Sequence, residues 1–323
     1  MKLSSLKHHF LPIRRLRTHC AMRSLRVTLH KYPLISISTE INSIELLCKY
    51  LMRCFEEKKE KKLQVMFPSG KEDLLADALM HGLIQKVDGD HFARLSMVWQ
   101  HPFSGMCNNK ITHYPYVHVV DKGIGHPMRP PTPKGFVYSR YIPKISKTIK
   151  FETLDINKHF QIFHDWMNQP RINKFWELAG DENQHRQYIQ KIDNDTHTHA
   201  IIAYFDDEPF AYFEIYWAKE DRISAYYSSH DYDRGLHVLV GNINFLGKKF
   251  FEHWIISLMH YTYISETRCE KLVGEPRVDN STFIKQLSNY GWSHLKEFDF
   301  PHKRAVFLLS ERSYFFRFLE EKL

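Results

Sequence analysis

Residues 235–247, GLHVLVGNINFLG, predict a buried strand that leads through a polar loop into a helix. The apolar run at 236–240 is too short for a helix and is typical of a fully buried strand, with His237 held inside it. An amphipathic helix begins near Gly247. Free backbone N–H groups and the positive end of the helix dipole therefore face one point, which suits an anion such as a pyrophosphate.

The composition excludes several classes of protein. The chain has 323 residues, of which 43% are hydrophobic and 25% charged, as in soluble globular proteins. Its formal charge of +8 comes from residues 1–39, which contain eight Lys or Arg and no acid, so the remainder carries 37 charges of each sign. This balance argues against nucleic-acid binding. With no apolar run of about 18 residues, the sequence predicts neither a membrane span nor a secretory signal.

The five cysteines form no C-x-x-C pair and no spacing typical of zinc or a disulfide framework. A reducing, cytoplasmic location fits them best. No pair of histidines with the spacing of metal ligands lies on a predicted helix with a clear third ligand, so we expect no metal in catalysis.

Three segments are predicted: a basic N-terminal segment (1–39), a smaller α+β domain (40–145) and a larger domain (146–323). The smaller domain is expected to contain a helix at 41–57, a strand at 63–67, a short helix at 73–83 and a strand at 92–99. Seven prolines between residues 101 and 143 predict a linker or a strap laid across a surface.

The larger domain has a regular pattern in the order β-α-α-β-β-β-α-β-α-β-β. The predicted strands are 147–153, 199–204, 211–217, 236–240, 271–275, 292–298 and 304–309. The predicted helices are 158–167, 183–192, 247–263 and 280–290.

This order resembles the GNAT acyltransferase fold, an α/β (α+β) fold in which acyl-coenzyme A lies where the fourth and fifth strands splay apart. Four motifs resemble the branch of that family that makes siderophore hydroxamates: HPMRPPTPKG (126–135), HDWMNQPRINKFWE (164–177), GLHVLVG (235–241) and VGEPRVDN (273–280). The likeness spans about residues 100–310. It implies an N-acyltransferase that uses acyl-CoA, expected to be acetyl-CoA, and acylates an N-hydroxylated lysine or diamine. The smaller domain is then expected to be a degenerate GNAT-like half.

The resemblance implies a cofactor site along the fourth strand and the loop after it. The backbone N–H groups of Val238, Leu239 and Val240 are expected to point into the cleft. The residues expected to bind the pyrophosphate, or to begin the helix after the fifth strand, are Asn244, Gly247, Lys248, Lys249 and Asn280. The family's usual loop is richer in Arg, Gln and Gly than this one.

Two residues are expected to act in catalysis, His237 and Glu275. A histidine with a pKa near neutrality can accept a proton from the incoming nitrogen, and the resemblance places His237 at such a position. The alternative is a core histidine with a satisfied hydrogen bond. Glu275 should stand opposite His237 across the splay, where it holds the substrate's ammonium, orients the histidine or acts as the base. The tyrosine acid of many relatives falls near Leu287, so the acid stays unassigned.

The acceptor site is expected in the loop between the first two helices. An aromatic slot with one carboxylate suits a short methylene chain that ends in a cation, although helix packing explains the same residues. The candidates there are His164, Trp166, Arg171, Trp176 and Glu177. His126 and Arg129, on the proline-rich strap, either face the same cleft or hold the two domains together.

Two other functions remain open from the sequence: acylation of an ordinary amine, such as lysine or an antibiotic, and acyl-CoA binding without catalysis. The expected partners are acyl-CoA, a small hydroxylamine acceptor and enzymes of a siderophore pathway, with no nucleic acid and no membrane. The acyl group, the acceptor's length and the oligomeric state are not determined.

Overall fold

The structure is a computed structural model that describes residues 32–102, 106–107, 114, 116–121 and 123–322. Most of the predicted basic segment (1–39) and part of the proline-rich strap lie outside the described residues. Among the helices that are described, none is long and apolar enough to cross a membrane.

The described chain contains strands and helices from end to end. The strands are β1 (Leu34–Ser36), β2 (Lys62–Met66), β3 (Gln85–Val87), β4 (Asp90–Arg94), β5 (His118–Asp121), β6 (Ile124–Pro127), β7 (Phe136–Ile142), β8 (Lys147–Thr153), β9 (Thr198–Phe205), β10 (Glu208–Trp217), β11 (Arg234–Val240), β12 (Lys271–Gly274), β13 (Ser293–Asp299) and β14 (Arg304–Glu311). The helices are α1 (Ile44–Lys58), α2 (Glu72–Met80), α3 (Leu95–Gln100), α4 (Ile156–Met167), α5 (Pro170–Trp176), α6 (Glu182–Asp193), α7 (Lys248–Ser265), α8 (Ser281–Leu287) and α9 (Arg312–Lys322).

The N-terminal part forms a four-stranded sheet in the order β1-β2-β4-β3. Helix α1 begins where the Ser43 side chain accepts a hydrogen bond from the Leu46 N–H, 3.2 Å away, and it buries one face that includes Leu47 and Leu51. The predicted helix at 41–57 and strand at 63–67 are confirmed. Whether this part is a degenerate GNAT-like half stays a prediction.

One predicted strand in this part, at 92–99, is wrong. Strand β4 ends at Arg94, and α3 begins at Leu95. Leu95, Val98 and Trp99 are buried, and their spacing of three and four residues places them on one face of a helix. A short apolar run does not distinguish a strand from a buried helical turn, and here the run contains both.

Strands β7 to β14 form an eight-stranded sheet in the order β13-β14-β12-β11-β10-β9-β8-β7, and β5 and β6 pair as a separate two-stranded sheet. All the elements predicted from residue 147 onward are present in the predicted order, while α5 and α9 are additional. Strand β7 pairs with β8, so the predicted domain boundary at 146 falls between two paired strands. A boundary before Phe136 would keep the sheet whole, and the division into domains stays a prediction.

Helices cover both faces of this sheet. Along β9 and β10, alternate residues belong to two different apolar clusters, because successive side chains of a strand point to opposite faces. Ile201 and Phe213 pack in the cluster that contains α7, whereas Ile202 and Tyr212 pack in the cluster that contains α4 and α6. The sheet is therefore buried between helices, which explains the continuous apolar runs in its central strands.

Strands β11 and β12 are parallel neighbours that separate after a short contact. Their register pairs Arg234 with Leu272 and Gly235 with Val273. Strand β11 then continues to Val240, paired with β10, while β12 ends at Gly274. The far half of β11 thus borders an opening in the sheet.

We predict that Gly241→Ala destabilises the fold by about 1–3 kcal/mol, the usual cost of overpacking a core. A Cβ atom at Gly241 would lie 2.0 Å from a ring carbon of Trp166, a buried residue of α4. Urea unfolding measures the loss. The control is Gly125→Ala, where a Cβ atom meets nothing within 4 Å, and a change within about 0.5 kcal/mol is expected. Equal unfolding midpoints for the two variants would contradict the prediction.

Candidate active site

Two adjoining cavities occupy the opening beside β11. The larger has a volume of about 450 Å³ and the smaller about 310 Å³. Both are lined by Phe175, Trp176, Val238, Asn280 and Phe283, so they meet at these five residues. The larger cavity also contains His237 and Glu275, and the smaller one extends to Gly247 at the start of α7.

The strand register brings three ionisable side chains together at the larger cavity. In the antiparallel pair β10–β11, Glu214 lies directly opposite His237. Glu275 follows β12, on the other side of the splay. The His237 Nδ1 lies 3.0 Å from Glu214 Oε2, and its Nε2 lies 2.8 Å from Glu275 Oε1. We call Glu214, His237 and Glu275 the triad.

The triad holds a charged imidazole. Both ring nitrogens face carboxylate oxygens, which only accept hydrogen bonds, so the imidazole donates at both positions and is an imidazolium. Burial alone would lower the pKa of His237, but the charges and hydrogen bonds of Glu275 and Glu214 outweigh it and raise that pKa to about 10. Burial likewise opposes ionisation of Glu275, yet the His237 charge lowers the pKa of that carboxyl to about 2. With two carboxylates and one cation, the triad has a net charge of −1.

Three tyrosines complete the hydrogen bonds of the carboxylates. The Tyr188 and Tyr212 hydroxyls donate to Glu214 Oε1 over 2.6 and 2.7 Å, and the Tyr216 hydroxyl donates to Glu275 Oε2 over 2.8 Å. Burial raises the pKa of each phenol well above its usual value, so all three remain protonated donors. Every oxygen of the two carboxylates thus has a partner, as buried charges require.

Gly235 is needed for one of these contacts. A Cβ atom at this position would lie 1.8 Å from the ring of Tyr216, the residue opposite it in the register. Because glycine has no side chain, the Tyr216 ring can lie across β11 and direct its hydroxyl to Glu275.

The two residues predicted for catalysis, His237 and Glu275, are brought into contact. The expected pKa near neutrality for His237 is wrong, because it assumed an unperturbed imidazole and did not include Glu214. Neither ring nitrogen has a free lone pair, so in this arrangement the imidazole cannot itself accept a proton. Leu287, at the position where many relatives carry a tyrosine, lines the larger cavity and has no proton to give.

The residues predicted to bind the cofactor fall into two groups. Val238, Leu239, Val240, Gly247 and Asn280 line the smaller cavity. Asn244, Lys248 and Lys249 are exposed and are not among its lining residues. Helix α7 begins after Gly247, with no side chain capping its first N–H groups.

Of the residues predicted for the acceptor site, Trp176 and Glu177 line the larger cavity. The Trp176 ring centre lies 6.1 Å from that of His237. Arg171 lines the smaller cavity and donates to the carbonyl oxygen of Val240 over 2.7 Å and to that of Gly241. It therefore holds the end of β11 against α5.

The other predicted acceptor residues lie away from both cavities. Trp166 is buried in the cluster under α4, and the His164 Nδ1 lies 2.7 Å from the Nδ1 of His185. Arg129 donates to both carboxylate oxygens of Glu220, over 2.7 and 2.6 Å, and His126 lies 3.7 Å from the same carboxylate. This contact favours the alternative that His126 and Arg129 tie segments of the chain together.

Sequence reasoning missed Glu214 and the three tyrosines that donate hydrogen bonds to the triad. A signal for Glu214 was present, since it is the only charged residue in the apolar and aromatic run PFAYFEIYW (209–217), and a charge in a buried strand requires a partner. Among the described residues no group of three His, Cys, Asp or Glu side chains could hold a metal ion. The absence of a metal from catalysis stays a prediction.

We predict that His237→Gln destabilises the protein by on the order of 3 kcal/mol near pH 6, because two buried carboxylates lose their shared cation. This is the lower end of the range for a broken buried ion pair, since the His237 side chain is 32% exposed. His237 has a raised pKa, so its contribution is fully present below pH 6.5 and is lost as the pH rises toward about 10. Glu275 has a lowered pKa, so its contribution is present above pH 4.5 and is lost as the pH falls toward about 2.

The free-energy gap between parent and variant should therefore be largest between pH 4.5 and 6.5. Urea unfolding across the pH range measures it. The control is His230→Gln, an exposed histidine paired with Glu270, for which a change within about 0.5 kcal/mol at every pH is expected. A gap that grows from pH 7 to 10 would contradict the charged imidazole.

Comparison with known proteins agrees with this geometry. Residues 155–300 match the family model described as an acetyltransferase (GNAT) domain. A protein of Schizosaccharomyces pombe, named provisionally as a lysine N-acyltransferase, is 39% identical over 226 residues, which cover 70% of this chain and 67% of that protein. A solved structure of an uncharacterized protein from Bacillus halodurans, 23% identical, covers 58% of this chain and 97% of its own with a TM-score of 0.55, and shares the fold.

Two further relatives carry more specific names. The N(5)-hydroxyornithine:cis-anhydromevalonyl coenzyme A-N(5)-transacylase of Beauveria bassiana is 41% identical over 196 residues, 59% of this chain and 43% of that protein. The N(6)-hydroxylysine O-acetyltransferase of Escherichia coli is 39% identical over 196 residues, 61% of this chain and 62% of that protein. The chain spans between 43% and 67% of the length of these relatives. The chain belongs to the GNAT acetyltransferase family.

Proposed function

We propose that the protein is an acyl-CoA-dependent N-acyltransferase that converts an N-hydroxylated lysine or diamine into a hydroxamate for siderophore biosynthesis, with acetyl-CoA as the expected donor. The observation that carries the proposal is the triad, an anionic cluster without a free base of near-neutral pKa, set in a cleft of a GNAT fold. The names of the relatives from B. bassiana and E. coli, which act on hydroxyornithine and hydroxylysine, support the same acceptor class.

The triad favours a nucleophile that is already neutral. An alkyl amine has a pKa near 10.4, so an enzyme that acylates it at pH 7 needs a group that removes a proton first. His237 is charged and bonded at both nitrogens, and the pKa of Glu275 is lowered to about 2, which makes both of them poor bases at pH 7. The electronegative oxygen of a hydroxylamine lowers the basicity of its nitrogen, so this nucleophile needs no such group.

In this proposal the triad acts by charge and position. The acceptor nitrogen attacks the thioester carbonyl carbon, an N–C bond forms, the C–S bond breaks, and the proton lost by the nitrogen balances the charge of the leaving thiolate. Positive charge develops on the nitrogen during the attack, and the net −1 charge of the triad stabilises it. Backbone N–H groups of β11 that face the splay are the candidates for stabilising the oxyanion.

The smaller cavity is the proposed site of coenzyme A. Its lining includes the free half of β11 and Gly247 at the start of α7, an 18-residue helix whose first N–H groups have no side-chain cap. Uncapped N–H groups and the helix dipole attract a pyrophosphate. Asn244, Lys248 and Lys249 are exposed on the same loop and first turn, where they can reach the phosphates from outside the cavity.

Two alternatives remain within the proposal. Acylation of an ordinary amine is disfavoured by the missing base, and binding of acyl-CoA without catalysis is disfavoured by the complete set of hydrogen bonds around the triad. The described cysteines are free and most are buried, which fits a cytoplasmic enzyme that draws on acyl-CoA and works beside other enzymes of a siderophore pathway.

The acceptor class is tested by thiol release from acetyl-CoA and longer acyl-CoAs with hydroxylysine, hydroxyornithine, hydroxyputrescine and hydroxycadaverine, each against its parent amine. At pH 7 we expect kcat/KM to be about 10²–10³-fold higher for the hydroxylated partner, because roughly one alkyl amine in 10³ is neutral at that pH. The preference should shrink about tenfold for each unit of pH up to 9. Equal kcat/KM values at pH 7 would leave only a generic amine acyltransferase.

The role of the triad is tested by Glu275→Gln, which keeps the shape of the side chain and removes its charge. With a hydroxylamine acceptor we expect kcat/KM to fall about 10²-fold, while the affinity for coenzyme A, measured by calorimetry, stays within twofold. The parent's kcat/KM should show no step near pH 6.5 from a free imidazole. A parental rate in a folded variant that still binds coenzyme A would remove Glu275 from the mechanism.

A further inference from the structure

One end of the larger cavity carries positive charge that the protein does not neutralise. Lys303 and Arg222 both line it, and neither forms an ion pair with any carboxylate in the described part of the chain. The centre of the Phe300 ring lies 5.5 Å from the Lys303 Nζ and 5.2 Å from the Arg222 guanidinium carbon.

The third cation of this cavity, Arg277, is already neutralised. Its guanidinium donates to both oxygens of Asp279, over 3.1 and 3.2 Å, and to Glu177 over 3.1 Å. Arg277 therefore serves as an internal contrast. Lys303 and Arg222 form no ion pair among the described residues; Lys303 is half-buried, whereas Arg222 is exposed to solvent at the mouth of the cavity.

The two carboxylates whose charges act on Lys303 already have hydrogen-bond partners. Glu275 accepts hydrogen bonds from His237 and Tyr216, and Asp221 accepts one from the backbone N–H of Ile223. Burial lowers the pKa of Lys303, the charges of Arg222 and Arg277 lower it further, and those of Glu275 and Asp221 raise it. A partly buried ammonium without a close anion is unfavourable unless a ligand supplies one.

We propose that Lys303 and Arg222 form an anion subsite that binds a carboxylate of the acceptor, so that the preferred acceptor is an N-hydroxylated amino acid and not the decarboxylated diamine. This inference rests on the proposed function. Of the two proposed classes of acceptor, it selects the N-hydroxylated amino acids over the N-hydroxylated diamines. The hydroxylamine end reaches the triad, and the carboxylate end lies at the Phe300 end of the same cavity. Tyr188, Phe175 and Trp176 line the cavity beside the triad.

The position of the subsite favours the acceptor over the acyl donor as the source of the carboxylate. Neither Lys303 nor Arg222 lines the smaller cavity, where coenzyme A is proposed to enter. Lys303 lies just before β14 and Arg222 in the helical turn after β10, both at the larger cavity. A donor with a carboxylate on its acyl group, such as succinyl-CoA, is the competing source, and the experiment separates the two.

The experiment compares hydroxylysine with hydroxycadaverine, which differs by the carboxylate alone, in the full-length parent protein and in Lys303→Met and Arg222→Gln. With acetyl-CoA the parent should favour hydroxylysine, and each substitution should lower kcat/KM for hydroxylysine about 10- to 100-fold, the range for one charge-assisted hydrogen bond. For hydroxycadaverine the change should stay within about threefold. The matched control is Arg304→Gln, an exposed arginine next to Lys303 that pairs with Glu297.

Three results would overturn the subsite. Equal losses on both acceptors would mean that Lys303 acts through Glu275. A parent preference for hydroxycadaverine would mean that Lys303 and Arg222 do not bind the acceptor's carboxylate. A loss seen with succinyl-CoA and absent with acetyl-CoA would assign the carboxylate to the donor.

The same experiment distinguishes a failure of the anion subsite from a failure of the proposed function. If none of the hydroxylated acceptors causes the folded parent to release thiol, the proposed function fails, and the subsite fails with it. If the parent acylates both acceptors and the two variants do not change the ratio of their kcat/KM values, the function stands and only the subsite is lost.

Discussion

The site depends on one interaction, the imidazolium of His237 between the carboxylates of Glu214 and Glu275. Two buried carboxylates this close repel each other unless a cation lies between them. The imidazolium supplies that cation and gives each acid a hydrogen bond of 2.8–3.0 Å. The tyrosine contacts follow from the same requirement, since each remaining carboxylate oxygen needs a donor. A histidine held in this way is a fixed charge, and it is not a titrating base.

The cluster lies where two neighbouring strands of the central sheet separate. Strands β11 and β12 separate after two paired positions, which exposes one edge of a central strand inside the protein. Backbone groups at such an edge must find other partners. Arg171 binds the carbonyl oxygens at the end of β11, and the remaining edge faces the two cavities. The interior edge is thus open to a ligand without being open to another protein's strand.

The order of elements from residue 147 was predictable because each has a clear hydrophobic period and the turns between them carry strong signals. The four-motif resemblance located the cleft, and with it His237, Glu275 and the β11 residues. The pKa of His237 was not predictable in the same way. It depends on Glu214, which is 23 residues away in the sequence and comes into contact only through the register of β10 and β11.

Other errors have similar physical causes. The strand predicted at 92–99 is half helix, because a short apolar run fits both structures. For His126 and Arg129 the sequence left two roles open, and the contacts of both residues with Glu220 favour the structural one. Lys303 gave no signal in the sequence, because an unpaired cation is recognisable only when its surroundings are known.

The residues that line the two cavities constrain the kinetic mechanism of the reaction, that is, whether both substrates must be bound at the same time. Among the described residues, neither cavity is lined by a serine, threonine or cysteine, so no hydroxyl or thiol of these types stands ready to take the acyl group from coenzyme A. The cavities meet at Phe175, Trp176, Val238, Asn280 and Phe283. Under the proposed function, an acyl group delivered at that junction passes directly to a second substrate held on the other side. Both substrates would then occupy the protein together, in a ternary complex that no acyl-enzyme intermediate divides into two halves.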